Sequence, residues 1–370
     1  MKILMQSRLD AFSRPGGDTI QMIKTKEYLG KRGCEVDIDC HLNPCLDRYD
    51  IVHLFNIVRV HETYLQLINA KKKGKPVALS SIYQNYEELD AHSAMGIKRL
   101  LWKRFGKDQR ELVKTFGRGI YSAEQLCAAI RQLFIGFGQQ QRYVIENADI
   151  ILPNSKMEME AIGHDFGVEP AYLIVPNAVD QMFLSNDESF SELIGMRDYI
   201  LCVANYTERK NQLSLLSALK YVDLPVVLVG MIIPTYKSYY EEVKRYAAEM
   251  KGRVKIFEKM SHKELVSVYS GARVVVLPSW IETTGLVCLE GALAGCNVVV
   301  TNRGYTKEYF KDMANYCDPA NPDSIKKAVI AAYDKPRDQR LREHILANFT
   351  WEKAAAATEQ AYVQIIGNNR

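Results

Sequence analysis

The chain has 370 residues, of which 47% are hydrophobic and 25% are charged, a composition typical of globular proteins that excludes extensive disorder. This length predicts two domains of ordinary size. The net charge of +4 is small, so the overall charge does not indicate a nucleic-acid-binding protein, and no nucleic acid partner is expected.

The cysteines and the hydropathy of the chain favour a cytoplasmic protein. The eight cysteines include no Cys-x-x-Cys pair and mostly lie in apolar runs, which favours buried reduced thiols over a zinc site. The opening run MKILMQSRLDAF reaches Arg8 too early for a signal-peptide core. No window of about 18 uncharged apolar residues is present, so no transmembrane helix is expected.

The amino-terminal half alternates short apolar runs with helical patterns. A first strand is followed by the turn SRPGGD and by a helical pattern that ends near Gly33. The predicted strands of this half are KILMQ, CEVDID, DIVHLFN, KPVALSSIY, ADIILPNS and AYLIVPNA. This alternation predicts a parallel sheet with helices on both faces.

Residues 96–118 interrupt this alternation with a strongly basic, amphipathic pattern. Apolar residues such as Trp102 and Phe105 are interleaved with eight basic residues, and only Asp108 and Glu111 are acidic. The basic residues are Lys98, Arg99, Lys103, Arg104, Lys107, Arg110, Lys114 and Arg118. Such a segment can bind to the inner face of an anionic membrane. The alternative is a solvated helix face packed over the first domain. The sequence leaves both interpretations open.

The carboxy-terminal half repeats the pattern more clearly. Its predicted strands are YILCVANY, PVVLVGM, RVKIFEK, ARVVVLPSW and CNVVVTN, with helices between them. A helix-poor stretch near position 180 predicts an amino-terminal domain of residues 1–178, completed by residues 351–370, and a carboxy-terminal domain of residues 179–350. In open α/β sheets, ligands bind at the carboxyl ends of the strands, so we expect the site there.

The stretch PSWIETTGLVCLE carries the clearest chemical pattern. A helix opens near Gly285, and its first N–H groups and the positive end of its dipole suit a diphosphate. Thr283 and Thr284 can donate hydroxyl hydrogen bonds or cap the helix. Glu282 precedes the helix, and Glu290, eight residues later, falls on its inner face.

This stretch closely resembles the signature of the family 4 glycosyltransferases, P-S-x-x-E-x-x-G-L-x-x-L-E. The passages ADIILPNS, VPNAVD, HKELVSVYSGARVVVLPS and WEKAAAATEQAYVQII are similar to further family segments, with Ala178 where glycine is usual. The resemblance covers nearly all of residues 145–366. It implies the GT-B fold, in which two Rossmann-like α/β domains have parallel sheets facing across a cleft and a C-terminal helix crosses back to the first domain. It also implies a retaining transfer from a nucleotide-diphosphate sugar, with no metal or other cofactor.

The resemblance assigns the donor contacts residue by residue. Glu282 would bind hydroxyls of the sugar, Glu290 the ribose of the nucleotide, and the backbone of Gly285 and Leu286 the diphosphate. Lys259 lies near the loop that contacts the base. The amino-terminal domain would bind the acceptor, and the carboxy-terminal domain the nucleotide sugar.

The stretch NYTERKNQ predicts a cationic site. A diphosphate leaving group needs positive charge, and we expect Lys210 and Arg209 to supply it and, with Glu282, to act in catalysis. The family usually has Gly-Arg where this chain has Ala204-Asn205. Either Arg209 substitutes for the missing arginine or the lost charge reduces turnover.

Glycines after the first strand add a weaker signal. In the family, a pair equivalent to Gly16 and Gly17 approaches the donor phosphate and the acceptor, although a plain turn would have the same sequence. The family's strand-end histidine is missing from KPVALSSIY, where Ser80, Ser81 and Tyr83 stand instead.

Three other polar residues are candidates for a site. His53 and Asn56 end another strand and are candidate cleft residues, although a structural role is favoured for each. Asp37 is the first residue of a D-x-D sequence, a form that holds metal in a different glycosyltransferase fold. It lies in a strand far before any nucleotide site, so no metal site is expected there.

No side chain stands out as a dedicated nucleophile, which favours a front-face reaction. The acceptor is expected to be a glycan or a lipid-linked molecule of cell-surface polysaccharide or glycoconjugate synthesis, while the donor sugar and base stay open. Two alternatives remain: another GT-B enzyme such as a sugar-nucleotide epimerase, and a degenerate partner or scaffold protein, which the arginine missing at Asn205 suggests.

Overall fold

The computed structural model describes residues 1–85, 109 and 123–368. The chain divides into two compact units: unit 1 comprises Met1–Asn177 and Trp351–Arg370, and unit 2 comprises Ala178–Thr350. The division falls one residue before the expected position. Apart from Gln109, the basic segment 96–118 lies outside the described residues.

Eleven strands form two parallel sheets in the described part of the chain. They are β1 (Lys2–Gln6), β2 (Glu35–Ile38), β3 (Ile51–Phe55), β4 (Val77–Ser80), β5 (Ile150–Ile151), β6 (Tyr199–Val203), β7 (Val226–Val229), β8 (Val254–Phe257), β9 (Ala272–Leu277), β10 (Asn297–Thr301) and β11 (Asn315–Cys317).

The helices of the described ranges alternate with these strands. They are α1 (Gly17–Lys31), α2 (Val60–Lys72), α3 (Ala123–Ile135), α4 (Phe137–Asn147), α5 (Lys156–Phe166), α6 (Ser189–Ile194), α7 (Gln212–Leu219), α8 (Lys237–Ala248), α9 (His262–Ser270), α10 (Leu286–Leu293), α11 (Thr306–Phe310), α12 (Pro322–Asp334), α13 (Gln339–Asn348) and α14 (Trp351–Asn368). None of the helices that the structure describes is both long enough and apolar enough to cross a membrane.

Unit 1 contains a five-stranded sheet in the order β2-β1-β3-β4-β5. β3 and β4 are buried along their whole length, as expected for apolar strands covered by helices on both faces. The last helix, α14, belongs to this unit, as predicted, and it packs against α1. Arg32, which directly follows α1, forms an ion pair of 2.6 Å with Glu359 of α14.

One predicted strand of unit 1 is wrong. The run AYLIVPNA forms no named strand, although Tyr172 makes a single bridge to Ile151 and the Leu173 N–H donates to the Ile151 carbonyl at 3.0 Å. The next position that could extend this pairing, two residues after Ile151, is Pro153. Its carbonyl accepts a hydrogen bond from the Val175 N–H, but proline has no N–H to donate in return. The ladder therefore stops after one bridge.

Unit 2 contains a six-stranded sheet in the order β11-β10-β9-β6-β7-β8 around its own apolar core. The five predicted strands are all present. The sixth, β11, was missed because it has only three residues, NYC, of which two are only partly buried. It is an edge strand that pairs with β10, so its position depends on a partner distant in sequence rather than on local apolar content.

Candidate functional site

The loop between β9 and α10 positions the first glutamate. β9 is a buried apolar strand, and α10 begins directly after Gly285, which has a φ of +78° that disfavours other residues. Gly285 occupies the position before the helix, so neither Thr283 nor Thr284 is its cap and that part of the prediction is wrong. Both threonines are buried in the loop beside Glu282.

A second loop fixes the backbone of Glu282. The Tyr305 N–H donates to the Glu282 carbonyl at 3.0 Å, and Glu282 forms an isolated parallel bridge with Gly304. Gly304 has a φ of +87°, and a Cβ atom there would lie 2.0 Å from the Glu282 carbonyl oxygen. Only glycine permits this approach. The sequence analysis missed this contact, for which the only local signal was a glycine soon after a strand.

Two cations converge on the Glu282 side chain, as the sequence predicted for a shared site. The Lys210 Nζ forms an ion pair with Glu282 Oε1, and the Arg209 Nη1 lies 3.8 Å from the same oxygen. The Glu282 side chain is only 8% exposed and that of Lys210 is 16% exposed. The structure therefore brings together the three residues predicted to act in catalysis.

The turn that carries these cations is held against the β9–α10 loop. The Trp280 N–H donates to the Arg209 carbonyl at 2.9 Å. Asn211 adopts a left-handed conformation with a φ of 62°, and its side-chain amide donates to the carbonyls of Pro278 and Pro319 at 3.0 and 2.9 Å. The sequence analysis gave Asn211 no role, and the structure shows that it fixes the turn.

Glu282 is ionised in this setting. Burial by itself raises the pKa of a carboxyl group, but the Lys210 and Arg209 cations outweigh burial and lower the pKa of Glu282 below its ordinary value. The carboxylate is therefore an acceptor for hydroxyl or cationic groups, and the two cations beside it suit an anionic ligand.

Glu290 lies in a contrasting environment on α10. The Tyr269 hydroxyl donates to its Oε2 at 2.7 Å, and His262 Nε2 lies 3.9 Å from its Oε1. Burial raises the pKa of Glu290 to about 7. Near neutral pH this side chain is thus divided between the acid and the carboxylate. Tyr269 was missed by the sequence analysis, in which it looked like an ordinary core residue of α9.

The remaining predicted residues of unit 2 lie near strand ends. Asn205 is half-buried two residues after β6, and Lys259 is exposed in the loop after β8. Leu286 is the first residue of α10 and is half-buried. These positions agree with the strand-end location expected for a ligand site in an open α/β sheet.

Gly16 and Gly17 belong to unit 1, where Gly17 is the first residue of α1. Gly16 precedes the helix, and a Cβ atom there would lie 2.8 Å from an Asp18 carboxylate oxygen. Asp18 is in turn paired with the buried Arg8, whose Nε donates to it at 2.8 Å, and Arg8 also donates to Asp10 at 2.7 Å. This charge network between β1 and α1, which the sequence analysis missed, fixes the loop that carries the glycines.

The other polar candidates of unit 1 are engaged in structural contacts. His53 is fully buried between the Tyr362 hydroxyl, at 2.6 Å, and the Ser80 hydroxyl, at 2.9 Å, and burial lowers its pKa to about 3. Ser81 and the Tyr83 N–H both donate to Glu158. These contacts agree with the structural role that was favoured for His53.

Asn56 and Asp37 also bind neighbouring side chains. The Asn56 amide donates to Asp18 at 3.2 Å. Asp37 accepts from Arg48 at 2.6 Å and from the Tyr49 hydroxyl at 3.0 Å. Within the described ranges, no three side chains of the metal-binding types lie close enough together to hold an ion.

The fold is that of the GT-B glycosyltransferases, as comparison with solved structures shows. A sucrose-phosphate synthase from Thermosynechococcus elongatus superimposes with a TM-score of 0.73 at 15% identity, with all of both chains covered. Anabaena Alr3699/HepE in complex with UDP-glucose gives a TM-score of 0.61 at 16% identity, over 100% of this chain and 98% of that one. At these identities the likeness concerns the fold, and the predicted fold class is confirmed.

Sequence comparison points to the same class of enzyme. Residues 185–348 match the family model described as "Glycosyl transferases group 1". A glycogen synthase of Mycobacterium tuberculosis is 32% identical over 111 residues, which is 28% of this chain and 27% of that protein. A D-inositol 3-phosphate glycosyltransferase of Corynebacterium diphtheriae is 26% identical over 251 residues, 60% of this chain and 57% of that protein. The chain thus aligns with about a quarter to three fifths of these relatives. The matches agree with the predicted resemblance at the level of a glycosyltransferase.

Proposed function

We propose that this protein is a retaining glycosyltransferase of family 4 that moves a sugar from a nucleotide-diphosphate sugar to a glycan or lipid-linked acceptor. The observation that carries the proposal is the convergence of Lys210 and Arg209 on the buried Glu282, beside the amino terminus of α10. A carboxylate next to two cations can bind sugar hydroxyls and a diphosphate side by side.

In this proposal the donor contacts follow from the site chemistry. Glu282 accepts hydrogen bonds from the donor sugar, while Lys210 and Arg209 bind the diphosphate. The first N–H groups of α10, after Gly285 and including that of Leu286, have no partner within the helix and suit the same anion. Glu290, on the same helix, binds the ribose.

Four further residues are proposed as peripheral donor contacts. In this proposal Lys259 lies near the base of the nucleotide, and the buried Thr283 and Thr284 belong to the β9–α10 loop that faces the donor. Asn205 contributes a neutral contact where relatives of the proposed family have an arginine. Complexes of Alr3699/HepE contain UDP and UDP-glucose, which makes uridine nucleotides the first candidates to test.

The proposed chemistry is a front-face displacement. The bond between the anomeric carbon and the diphosphate oxygen breaks, and its electron pair leaves on the diphosphate. The acceptor oxygen bonds to the anomeric carbon on the same face, and its proton passes to a phosphate oxygen. Lys210, Arg209 and the helix dipole stabilise the negative charge that develops on the diphosphate.

Unit 1 is proposed to bind the acceptor, with Gly16 and Gly17 near it. A cytoplasmic enzyme of cell-surface polysaccharide or glycoconjugate synthesis would meet a lipid-linked acceptor at the inner face of the membrane. The basic sequence of 96–118 supports such contact, and α3 exposes the apolar residues Leu133 (54%) and Phe134 (82%). Sedimentation with vesicles of anionic lipid, but not with neutral ones, is the expected result.

A degenerate partner protein is the second candidate, and the absence of an arginine at Asn205 favours it. The intact ion pair of Glu282 with Lys210 supports the enzyme instead. A protein without nucleotide binding would fit the degenerate protein, whereas product formed without any acceptor would fit an epimerase.

A thermal-shift screen with UDP, GDP, ADP, TDP and their sugar conjugates tests the proposal. A nucleotide present at about 100 times its Kd stabilises the fold by about 2.7 kcal/mol, so binding is readily detected. We expect one base to give a shift that Glu290→Ala removes. The control is Glu192→Ala, since Glu192 is an exposed glutamate of α6 in the same unit. If no nucleotide shifts the wild-type transition, the proposed function is wrong.

A further inference from the structure

A buried tyrosine, Tyr269, donates a hydrogen bond to the second glutamate of the motif, Glu290. The Tyr269 side chain lies in the core of unit 2 with no exposed surface, and its hydroxyl donates to Glu290 Oε2 at 2.7 Å. The ring packs edge-on against Phe183, with centroids 5.4 Å apart and an interplanar angle of 90°. The hydroxyl of this buried ring thus points at one oxygen of the carboxyl group.

The other oxygen faces a more open environment. His262 Nε2 lies 3.9 Å from Glu290 Oε1, and the His262 side chain is 39% exposed. Tyr269 and His262 are seven residues apart on α9, so they lie two turns apart on the same side of that helix. Asp180, at the start of the short helical turn Gln181–Leu184, is the charged group that acts on Glu290 from that segment.

We propose that Tyr269 is a positioning residue of the nucleotide site, which fixes Glu290 so that Oε1 accepts a hydrogen bond from a ribose hydroxyl. The inference rests on the proposed function and adds to it the discrimination of ribose from deoxyribose. A carboxylate oxygen that is held in one orientation binds a ribose hydroxyl without further loss of side-chain entropy. A carboxyl group that rotates freely must first be ordered, and this cost reduces the binding free energy gained from the hydroxyl.

The same geometry predicts a dependence on pH. A ribose hydroxyl donates to the carboxylate more strongly than to the acid, and burial raises the pKa of Glu290 to about 7. The Tyr269 hydrogen bond opposes this rise, since it stabilises the carboxylate. Without the hydroxyl the pKa of Glu290 rises further, so ribose recognition should then require a higher pH. His262 and Asp180 act on the Glu290 carboxyl group in the wild-type protein and in the variant without the hydroxyl, so their effects on its pKa cancel when the two are compared.

A suitable control variant is available in the same unit. Tyr199 is fully buried and its hydroxyl donates to the Val268 carbonyl at 2.5 Å, next to Tyr269 in sequence, but it does not contact Glu290. Tyr199→Phe therefore also removes a buried tyrosine hydroxyl and its hydrogen bond, but it leaves the contacts of the Glu290 carboxyl group unchanged. A merely structural role for Tyr269 would make the two variants behave alike.

The experiment is calorimetric titration with UDP and GDP, each compared with its 2′-deoxy counterpart, from about pH 5.5 to about pH 8.5. For wild type we expect the preference for ribose to fall as the pH decreases through about 7. For Tyr269→Phe we expect a preference about tenfold smaller near neutral pH, with the midpoint moved to higher pH, because a hydrogen bond to a charged group is lost. Tyr199→Phe should keep the wild-type preference and midpoint.

The outcomes separate this inference from the proposed function. If Glu290→Gln abolishes the ribose preference but Tyr269→Phe retains the wild-type preference and midpoint, the positioning role is wrong and the proposed function stands. If no nucleotide binds wild type, both fail. A ribose preference in wild type that does not change with pH also contradicts the inference, and this measurement needs no variant to fold.

Discussion

Two glutamates of one motif have opposite electrostatic environments. Glu282 is paired with Lys210 and Arg209, which hold its pKa below the ordinary value in spite of burial. Glu290 instead lies beside the Tyr269 hydroxyl and His262, and burial raises its pKa to about 7. The difference suits the two proposed tasks, in which the permanent carboxylate of Glu282 balances cations at a diphosphate and Glu290 binds hydroxyl groups.

Removal of the Lys210 charge should affect turnover more than donor binding. We expect Lys210→Ala to lower kcat by about 10²–10³, since in the proposed mechanism the amine faces charge that develops in the transition state. The variant also leaves the buried Glu282 without its nearest cation, so a lower Tm is expected as well. Steady-state kinetics on protein shown to be folded measures the effect.

Lys220→Ala is the matched control for this prediction. Lys220 is a lysine of the same unit whose amine pairs with the exposed Glu249 at 3.0 Å, away from the β9–α10 loop in sequence. Its loss should leave kcat close to wild type. A Lys210→Ala enzyme that turns over as fast as the Lys220→Ala enzyme would remove Lys210 from the mechanism.

At the scale of the element, the site depends on two loops that meet at Glu282. The β9–α10 loop carries the carboxylate, and the segment after β10 fixes its backbone through Gly304 and Tyr305. The turn with Lys210 is fixed from the other side by Asn211. The geometry of the ion pair thus follows from backbone contacts as much as from side chains.

Substitution of Gly304 should break this contact. In Gly304→Ala the new Cβ would meet the Glu282 carbonyl oxygen, a backbone atom that cannot swing aside, at 2.0 Å. We expect a loss of unfolding free energy above the ~1 kcal/mol that a left-handed alanine costs by itself, together with weaker nucleotide binding. Chemical denaturation and thermal shift measure the two effects.

Gly252→Ala separates the steric effect from the conformational one. Gly252 has a similar φ of +77° in unit 2, but nothing lies within 4 Å of the Cβ position. The control should lose only the conformational part and bind nucleotide normally. Equal losses in the two variants would show that the approach to Glu282 is unimportant.

The sequence predicted the site residues better than the contacts that position them. Glu282, Lys210 and Arg209 were found because they lie in local motifs at recognisable strand ends. Tyr269 and Gly304 were missed because their roles come from partners 21 and 22 residues away, which no local pattern specifies. The same limit applies to β11, whose short polar sequence becomes a strand only beside β10.

The strand predictions failed where proline intervened. The run AYLIVPNA has the apolar content of a strand, and it does follow β5 for one bridge. Apolar content is a measure of burial, however, whereas a ladder also needs N–H donors on both sides, and Pro153 removes one. The long parallel strands of unit 2 contain no proline and were all predicted.

At the scale of the whole molecule, each unit builds its own scaffold. Unit 2 holds the cationic site and both glutamates, so the proposed donor contacts lie almost entirely in one compact unit. In unit 1 the last helix, α14, carries Tyr362, whose hydroxyl forms a hydrogen bond with the buried His53. Among the described residues, the polar side chains of its strand ends are largely committed to such structural contacts, and the Gly16–Gly17 loop is the proposed acceptor element.

The central claim is that the site transfers a sugar with retention of configuration. The most direct measurement is NMR analysis of the first product formed from the nucleotide sugar that the binding screen identifies, with water or a simple glycoside as the acceptor. The account predicts a nucleoside diphosphate and a product with the anomeric configuration of the donor, both greatly reduced in Lys210→Ala. An inverted first product, or release that is unchanged in Lys210→Ala, would contradict it.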